Sequence, residues 1–309
     1  MPKLLNLAKK SEDLVKPFGE IDVLLFYGIV GEKLKKFLKG KELATKIWMP
    51  YGIPYLIKRG SKLEPLLIEE FLEALTPEFF EKRKKNLDQV KGQLTKSQTK
   101  VWQYFFPRKL MDFFYATNSE NPGRAIDRIF FDIDRGDGMT SEQSQEATRE
   151  FVKAINQDKE LKDVIGKVEP FISWTGNSFH VYLFLDKQQP SSFYEKHFQY
   201  LKAKPDEGFT AKWCNEINKK LSFKIIPGHE KVKGTINIDP SQTPSGKLCR
   251  VPLGSLHMKD DKTVDGVSFP VAEKMLEKDD LIDGLRSYTA KDVVDSLDEL
   301  AKRFPKKFQ

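Results

Sequence analysis

The N-terminal third of the chain shows two kinds of hydrophobic pattern. Between Glu20 and Gly40, apolar residues recur at helical spacing and the segment closes with lysines and a glycine, which predicts one amphipathic helix. Two short apolar runs then flank "PYGIP" (50–54), which predicts two strands joined by a turn. Residues 63–96 have a charged helical pattern, and Thr76 is positioned to cap a helix that starts at Pro77.

The middle of the chain predicts a strand, a helix and two further strands. The aromatic segment 101–116 has a helix-like pattern and is followed by a turn at residues 118–123. A helix with Ser141 as its N-cap is predicted over 141–156. The strands of this βαββ unit are predicted at "RIFFDID" (128–134), "PFISW" (170–174) and "FHVYLFL" (179–185).

The last third continues the mixed pattern. We predict a helix over 207–224, strands in "GTINID" (234–239) and "KLCRVPLGSL" (247–256), and charged helix over the last forty residues. This alternation of helices and strands predicts a mixed α and β protein.

Composition restricts the class of protein. The 309 residues are 39% hydrophobic, enough for one large or two modest domains, and the net charge of +7 suits a polyanionic partner. Two cysteines, Cys214 and Cys249, form neither a disulfide framework nor a zinc site. No continuous apolar run predicts a signal peptide or a membrane span, so we expect a cytoplasmic protein.

Two acids end the predicted strand at 128–134. Because side chains alternate along a strand, Asp132 and Asp134 point the same way while Ile133 points into the core. Two carboxylates so placed can share a divalent cation such as Mg²⁺, which takes oxygen ligands and substrate phosphates. The alternative is a strand end with solvated acids. The apolar residues directly before Asp132 disfavour it, because they put the acids at the edge of a core.

A third acid ends another β-branched run. If the strand that ends at Asp239 lies next to the strand at 128–134, the Asp239 carboxylate reaches the same metal site. Three carboxylates with two metal ions can activate a 3′-hydroxyl and stabilise a leaving pyrophosphate. The alternative, a turn-forming Asp before Pro240, stays open.

The turn "TGNS" (175–178) carries candidate phosphate donors. Gly176 allows the tight turn, and backbone N–H groups there can bind an anion. The turn also brings the hydroxyls of Ser173, Thr175 and Ser178 close to His180, at the start of the next strand. A histidine in this position can donate to a triphosphate, although a lone histidine is more often an ordinary surface or core residue.

A basic segment follows Asp239. Arg250, His257 and Lys259 lie along "CRVPLGSLHMK" (249–259), where arginine offers a fork of donors and lysine a point charge for phosphate oxygens. On its own this segment predicts a solvated basic face. After the acids and the histidine turn, it indicates a nucleotide clamp.

Taken in order, these motifs resemble those of the archaeo-eukaryotic primase superfamily. That family has a DxD strand, then an S/T-G-x-x-x-H turn and strand, then a strand acid followed by R-x-P and S-L-H-x-K. The matching residues are Asp132, Asp134, Thr175, Gly176, His180, Asp239, Arg250, Pro252, Ser255, Leu256, His257 and Lys259.

The upstream half adds a finer resemblance. Residues 23–60 and 100–116 are similar to the start of the bacterial ligase D polymerase domain and to its helix before the DxD strand. By contrast, residues 250–259 are closer to the small subunit of archaeal replicative primases. The chain lacks the zinc knuckle of the replicative subunits, and "LMDFFY" (110–115) stands where the ligase D domains have a histidine.

The resemblance implies an α/β (α+β) fold, in which an RRM-like catalytic subdomain packs on an N-terminal α/β subdomain with template and primer in the cleft between. We expect one domain over 1–309, with an N-terminal part at 1–100, a catalytic core at 101–270 and a helical part at 271–309. The implied reaction is template-directed attack of a 3′-hydroxyl, or of a first nucleotide, on the α-phosphate of an NTP or dNTP.

Cofactors and partners follow from the same resemblance. Two divalent ions, Mg²⁺ or Mn²⁺, and no zinc are expected at the three aspartates. The expected partners are a DNA template and primer, held through phosphates by residues such as Lys58. A DNA ligase with an end-binding protein, or a primase large subunit, would be a protein partner. We therefore expect association with the nucleoid, and replication priming and break repair both stay open.

Two other classes of protein are compatible with parts of the sequence. "FFDIDRGDGMT" (130–140) loosely resembles the phosphatases of the haloacid dehalogenase type, but the later acidic pair of that family has no convincing match here. A non-catalytic RRM-like nucleic-acid-binding protein also fits a βαββ unit. Acids on its central strands would repel phosphate unless a metal intervened, which disfavours it.

Overall fold

The computed structural model describes residues 23–48, 55–58, 64–107, 110–166, 168–258 and 264–309. Up to residue 116 the chain forms five helices and four strands within these ranges. The elements are α1 (Val23–Leu38), β1 (Glu42–Trp48), β2 (Tyr55–Lys58), β3 (Leu66–Leu67), α2 (Ile68–Ala74), α3 (Pro77–Arg83), α4 (Leu87–Val90), α5 (Lys96–Tyr104) and β4 (Met111–Ala116).

From residue 117 to residue 247 the described chain alternates between strands and helices. The elements are β5 (Ile126–Arg135), α6 (Ser141–Gln157), α7 (Lys159–Ile165), β6 (Phe171–Trp174), β7 (Phe179–Gln189), α8 (Ser191–His197), α9 (Gly208–Ile217), β8 (Lys224–Pro227) and β9 (Thr235–Asp239).

The remaining residues add short elements. They are β10 (Leu248–Arg250), β11 (Leu256–Met258), β12 (Val264–Val267), β13 (Phe269–Val271), α10 (Leu281–Ser287), α11 (Ala290–Asp295) and α12 (Leu297–Ala301). No helix in the described ranges is long and apolar enough to cross a membrane.

The chain divides into two compact units, each made of separate segments. The first contains residues 1–116, 248–269 and 288–309. Its main sheet has the strand order β10-β4-β1-β2, with β3 also paired to β1. The aromatic core beside this sheet includes Tyr27, whose ring lies 5.0 Å from that of Phe113, and Phe71, whose ring lies 5.2 Å from that of Phe105.

The second unit contains residues 117–247 and 270–287. Its sheet includes the order β6-β7-β5-β9, and the three pairings in this run are all antiparallel. Because α6 follows β5 and α9 precedes β9, the strands and helices form a split β-α-β-β-α-β arrangement, which is that of RRM-like domains. Strand β8 adds a parallel edge strand beside β9.

One face of the second unit's sheet carries the hydrophobic core. Phe131 on β5 packs against Phe151 of α6, with ring centroids 4.9 Å apart, and against Trp213 of α9 at 6.0 Å. All three side chains are buried, as is Ile133 two residues along β5. Residues at even positions of β5 therefore face the opposite side of the sheet.

The structure confirms several predicted elements. The helix predicted between Glu20 and Gly40 is α1, whose described residues begin at Val23. The predicted strand pair on either side of residues 50–54 is β1 and β2, which pair antiparallel. Thr76 caps α3 by accepting a hydrogen bond of 3.2 Å from the Phe79 amide, with Pro77 in the first turn.

Two local predictions are wrong. The helix predicted over 101–116 ends at Tyr104, and Met111–Ala116 forms strand β4, which pairs with β1 so that Phe114 lies opposite Ala44. A run of aromatic residues has no clear period, and tertiary pairing decides its conformation. Helix α6 is capped by Thr140 and not by Ser141, because the Thr140 side chain accepts from the Gln143 amide.

The segment between β8 and β9, which we call the Lys231 loop (228–234), is held against the end of β5. Gly136 donates its amide to Thr235 O at 2.9 Å, and Gly234 donates to Asp137 O at 2.9 Å. A Cβ atom at Gly136 would lie 2.0 Å from Val232 O. Only glycine therefore fits at this position without moving the loop.

We expect Gly136→Ala to destabilise the protein by about 1–3 kcal/mol, because the added methyl group must displace backbone. Gly92→Ala is the matched control, since nothing lies within 4 Å of a Cβ atom there, and it should change stability by less than about 0.5 kcal/mol. Urea unfolding midpoints measure both changes. Equal stability of the two variants would contradict the packing of the Lys231 loop on β5.

Candidate active site

Four polar residues lie in register across neighbouring strands of the second unit. Asp132 on β5 is the direct partner of His180 on β7 and of Asp239 on β9. His180 is in turn the partner of Ser173 on β6. Because directly opposed residues in a sheet point to the same side, these four side chains form one row on the face opposite the core. We call this set the cross-strand row.

A second acid and an amide lie one step further along the same face. Asp134 on β5 is paired with Asn237 on β9. The Lys231 ammonium group lies 3.2 Å from Asp134 Oδ1. Asn237 is fully buried and donates to Gly228 O at 3.1 Å and also to Glu230 O, so it holds the Lys231 loop in place. The three aspartates predicted from sequence therefore share one face of the sheet.

The electrostatics of the face are dominated by the crowding of carboxylates. Burial, and then the charge of Asp132, raise the pKa of Asp134 to about 6, against the opposing effect of Lys231. Burial also raises the pKa of Asp239, although hydrogen bonds from Ser241 oppose the rise. His180 Nε2 lies 3.3 Å from Asp132 Oδ1. Like charges directly opposed across strands are destabilising, so the face favours a bound cation.

Asp239 forms the turn that the sequence left open as an alternative, and it also lies beside Asp132. The Ser241 amide donates to its Oδ1 at 2.8 Å, and the Ser241 hydroxyl donates to its Oδ2 at 2.9 Å, which makes a turn over Pro240. The same carboxylate lies in the cross-strand row beside Asp132. The turn fixes the orientation of the carboxylate that the row presents.

The carboxylate oxygens of Asp132, Asp134 and Asp239 suit a hard divalent ion, since such oxygens are the ligands that Mg²⁺ and Mn²⁺ prefer. In the described part of the chain, no group of three or more His, Cys, Asp or Glu side chains is arranged to hold a metal ion. The side chains of Asp132 and Asp134 instead lie beside His180 and Lys231. Holding an ion would require these aspartates to exchange those neighbours for the metal.

The predicted phosphate turn is present, with its hydroxyl groups engaged inside the protein. Gly176 has a φ of +99°, which favours glycine. Thr175 Oγ1 accepts from the Ser178 amide at 3.1 Å, and the Ser178 hydroxyl donates to Ile133 O. The Ser173 hydroxyl donates to Trp174 O at 3.1 Å. The hydroxyls of Thr175 and Ser178 therefore hold the turn, the Ser173 hydroxyl bonds within β6, and His180 lies beside Asp132.

The basic segment predicted downstream lies in the first unit. Arg250 Nη2 lies 3.4 Å from Oδ2 of the buried Asp112, and its Nη1 donates to Leu256 O at 3.3 Å. The Ser255 hydroxyl accepts from the Phe113 amide at 3.1 Å, which ties it to β4. His257 lies on β11 opposite Gly266.

Two predicted residues are only partly described or not at all. Lys259 lies outside the described residues. Lys58 is the last residue of strand β2, and the structure describes its backbone but not its side chain.

Sequence reasoning missed several residues of the sites. Asn237 could have been found, since it precedes Asp239 by two positions in the same alternation that pairs Asp132 with Asp134. Arg135, directly after the second acid, donates to the Asn177 side chain in the phosphate turn. Lys231 and Asp112 have no sequence signal, because their ion pairs join residues far apart in the chain.

Comparison with known proteins agrees with this architecture. No protein-family model matches the chain, and no curated protein sequence matches it. Among solved structures, it is similar to the polymerase domain from Mycobacterium tuberculosis ligase D in complex with DNA. The similarity covers 92% of each chain with a TM-score of 0.55 at 16% sequence identity.

At this level of identity the similarity shows the fold. The chain therefore has a fold similar to that of the ligase D polymerase domain. The α+β fold and the resemblance to the ligase D polymerase domain predicted from the sequence are confirmed in this respect.

The raised pKa of Asp134 predicts a specific pH dependence of stability. Since the pKa of Asp134 in the folded state lies above its ordinary value of 3.8, the folded state keeps this proton to higher pH, and stability falls as pH rises from about 4 to about 6. Without divalent ions, Asp134→Asn should therefore be more stable than the wild type at pH 8, by about 1–3 kcal/mol, and equally stable below pH 4.

Urea unfolding in a chelating buffer at both pH values measures the difference. Asp186→Asn, a change of an exposed acid on β7, is the control and should alter stability by less than about 0.5 kcal/mol. An Asp134→Asn effect of the same size at pH 4 and pH 8 would contradict the crowding of these carboxylates.

Proposed function

We propose that the chain is a template-directed nucleotidyltransferase of the primase-polymerase type. It adds an NTP or dNTP to a primer, or starts a primer, on a DNA template. The observation that carries the proposal is the cross-strand row, in which Asp132 lies between His180 and Asp239 on the face of an RRM-like sheet opposite its core. The similar fold of a polymerase domain bound to DNA supports it.

The reaction requires a nucleophile, an electrophile and a leaving group. A 3′-hydroxyl oxygen bonds to the α-phosphorus, the bond from that phosphorus to the oxygen bridging to the β-phosphate breaks, and pyrophosphate leaves, while the hydroxyl proton passes to water. Two divalent ions, Mg²⁺ or Mn²⁺, would activate the hydroxyl and neutralise the leaving pyrophosphate when bound at Asp132, Asp134 and Asp239. The three carboxylates supply oxygen ligands on one face.

His180 is proposed to bind the triphosphate. It lies on β7 beside Asp132, opposite Ser173 on β6 and next to the turn that contains Gly176 and is held by the hydroxyls of Thr175 and Ser178. The His180 side chain can donate a charge-assisted hydrogen bond to a phosphate oxygen, and such a bond contributes about 1.5–3 kcal/mol. A nucleotide-binding role for Arg250, Ser255, His257 and Lys259 stays a prediction from the sequence.

The biological setting is a further part of the proposal. The net charge of +7 suits DNA, and the similar ligase D domain is bound to DNA. The chain would act in break repair by end joining, with a DNA ligase and an end-binding protein, or in replication priming with a primase large subunit. Primer extension and de novo synthesis, measured side by side with NTPs and dNTPs, separate these two roles.

The rival classes of protein fit the site less well. An RRM-like binding module uses exposed aromatic residues on its central strands. The aromatic residues on this face of β5 and β7, which are Phe130, Tyr182 and Phe184, are buried. A phosphatase would release phosphate from a small phosphomonoester. The fold similarity to a polymerase domain favours nucleotidyl transfer over either alternative.

We expect Asp132→Ala, Asp134→Ala and Asp239→Ala each to reduce nucleotide addition to background, because each removes one ligand of the proposed metal site. His180→Ala should lower kcat/KM by about ten- to a hundredfold for all four bases alike, since phosphates carry no base identity. Primer extension with Mn²⁺ or Mg²⁺ measures both effects. Asp186→Ala, on an exposed part of β7, should keep wild-type activity.

Three other results would contradict parts of this proposal. If Asp239→Ala kept nearly wild-type activity, Asp239 would not belong to the site. A base-selective loss in His180→Ala would place that residue away from the triphosphate. A wild-type protein that binds DNA but adds no nucleotide with either metal would be the non-catalytic binding module.

A further inference from the structure

A cavity of 570 Å³ opens beside Asp239 at the outer edge of the second unit's sheet. All of its lining residues belong to that unit. They come from α8 and the segment after it, from α9 and its C-terminal end, from β8, from the Lys231 loop and from the Asp239 turn. Asp239 and the buried Tyr194 lie in its wall, and Tyr200, Lys202 and His229 line it further out. Its volume is in the range of small-molecule sites in proteins.

The position of the cavity follows from the order of groups across the sheet. From one side to the other this order is His180 on β7, Asp132 on β5, Asp239 on β9 and then β8. In nucleotidyl transfer the attacking and leaving oxygens lie roughly in line on opposite sides of the phosphorus. If His180 binds the triphosphate, the leaving group lies on the β7 side. The attacking hydroxyl must then approach from the Asp239 side, where the cavity opens.

The lining residues suit one nucleotide of a nucleic-acid strand. Tyr200 is half-buried and packs against Gly228, where a Cβ atom would lie 3.0 Å from its ring. Base stacking on aromatic side chains and contacts from cations to phosphates are the general means of holding a single strand. Lys202 supplies a cation, held 2.7 Å from Glu230 by an exposed ion pair.

We infer that this cavity binds the 3′-terminal nucleoside of the acceptor strand, with its base against Tyr200 and its 5′-side phosphate near Lys202. The sugar then directs its 3′-hydroxyl towards Asp239. The inference rests on the proposed function and adds to it the site of the nucleophilic substrate.

Photocrosslinking of the full chain tests the location directly. The probe is a primer-template duplex with 5-iodouracil as the 3′-terminal base of the primer, and a second duplex carries the same base ten nucleotides upstream. Peptide mapping should recover the terminal probe on Tyr200 or another residue of the cavity wall, and the upstream probe elsewhere. A terminal probe attached only outside residues 194–241 would overturn the inference.

Kinetic variants provide a second readout with matched controls. Tyr200→Ala should raise KM for the primer by about 5- to 100-fold, the range of one base stack, with KM for the nucleotide unchanged. Tyr200→Phe keeps the ring and should stay near wild type. Lys202→Ala should raise the primer KM, whereas Lys204→Ala should not, because Lys204 has a similar exposed ion pair but lies outside the cavity.

The outcomes separate this inference from the proposed function. An unchanged primer KM in both Tyr200→Ala and Lys202→Ala, in an enzyme that extends primers normally, would contradict the cavity assignment alone. A wild-type chain without nucleotide addition would contradict the proposed function. The crosslinking result would in that case still decide whether a 3′-end enters the cavity.

Discussion

The register of β5 between β7 and β9 is the constraint on which the rest of the site depends. It sets Asp132 opposite both His180 and Asp239. A slip of β5 by one residue would turn Asp132 and Asp134 towards the core and away from His180 and Asp239. The register is stabilised from the other face, where Phe131 and Ile133 are buried; burying such a side chain contributes about 1.5–3 kcal/mol. The hydrophobic core therefore holds these acids close together although their charges repel each other.

The three acids on the face opposite the core lower the stability of the fold, and the proposed function accounts for their presence. Burial and the neighbouring carboxylate raise the pKa of Asp134, and its charge is partly offset by Lys231 from the loop docked on Gly136. Selection for stability alone would not favour three acids there, whereas the proposed site for cations and phosphates would require them. The Lys231 loop and the Ser241 turn fix the surroundings of Asp134 and Asp239, so the carboxylates are oriented before any substrate binds.

The sequence predicted the parts of the site that depend on local alternation, and missed those that depend on distant pairing. Strand periodicity placed Asp132 and Asp134 on one face, and the β-branched run before Asp239 indicated a neighbouring strand. The same reasoning failed at β4, because an aromatic run without a period is decided by its partner β1. No short-range sequence pattern predicts the ion pair of Arg250 with Asp112 or that of Lys231 with Asp134. The cavity beside Asp239 likewise joins segments that are separate in sequence.

Anomalous diffraction from crystals of the protein with Mn²⁺ and a non-hydrolysable nucleotide tests the central claim most directly. We expect manganese at the carboxylates of Asp132 and Asp134, with Asp239 as a further ligand and the triphosphate on the His180 side. We also expect that Lys231 has then left Asp134. Manganese bound elsewhere, with Asp134 still paired to Lys231 and the nucleotide away from His180, would contradict the central claim.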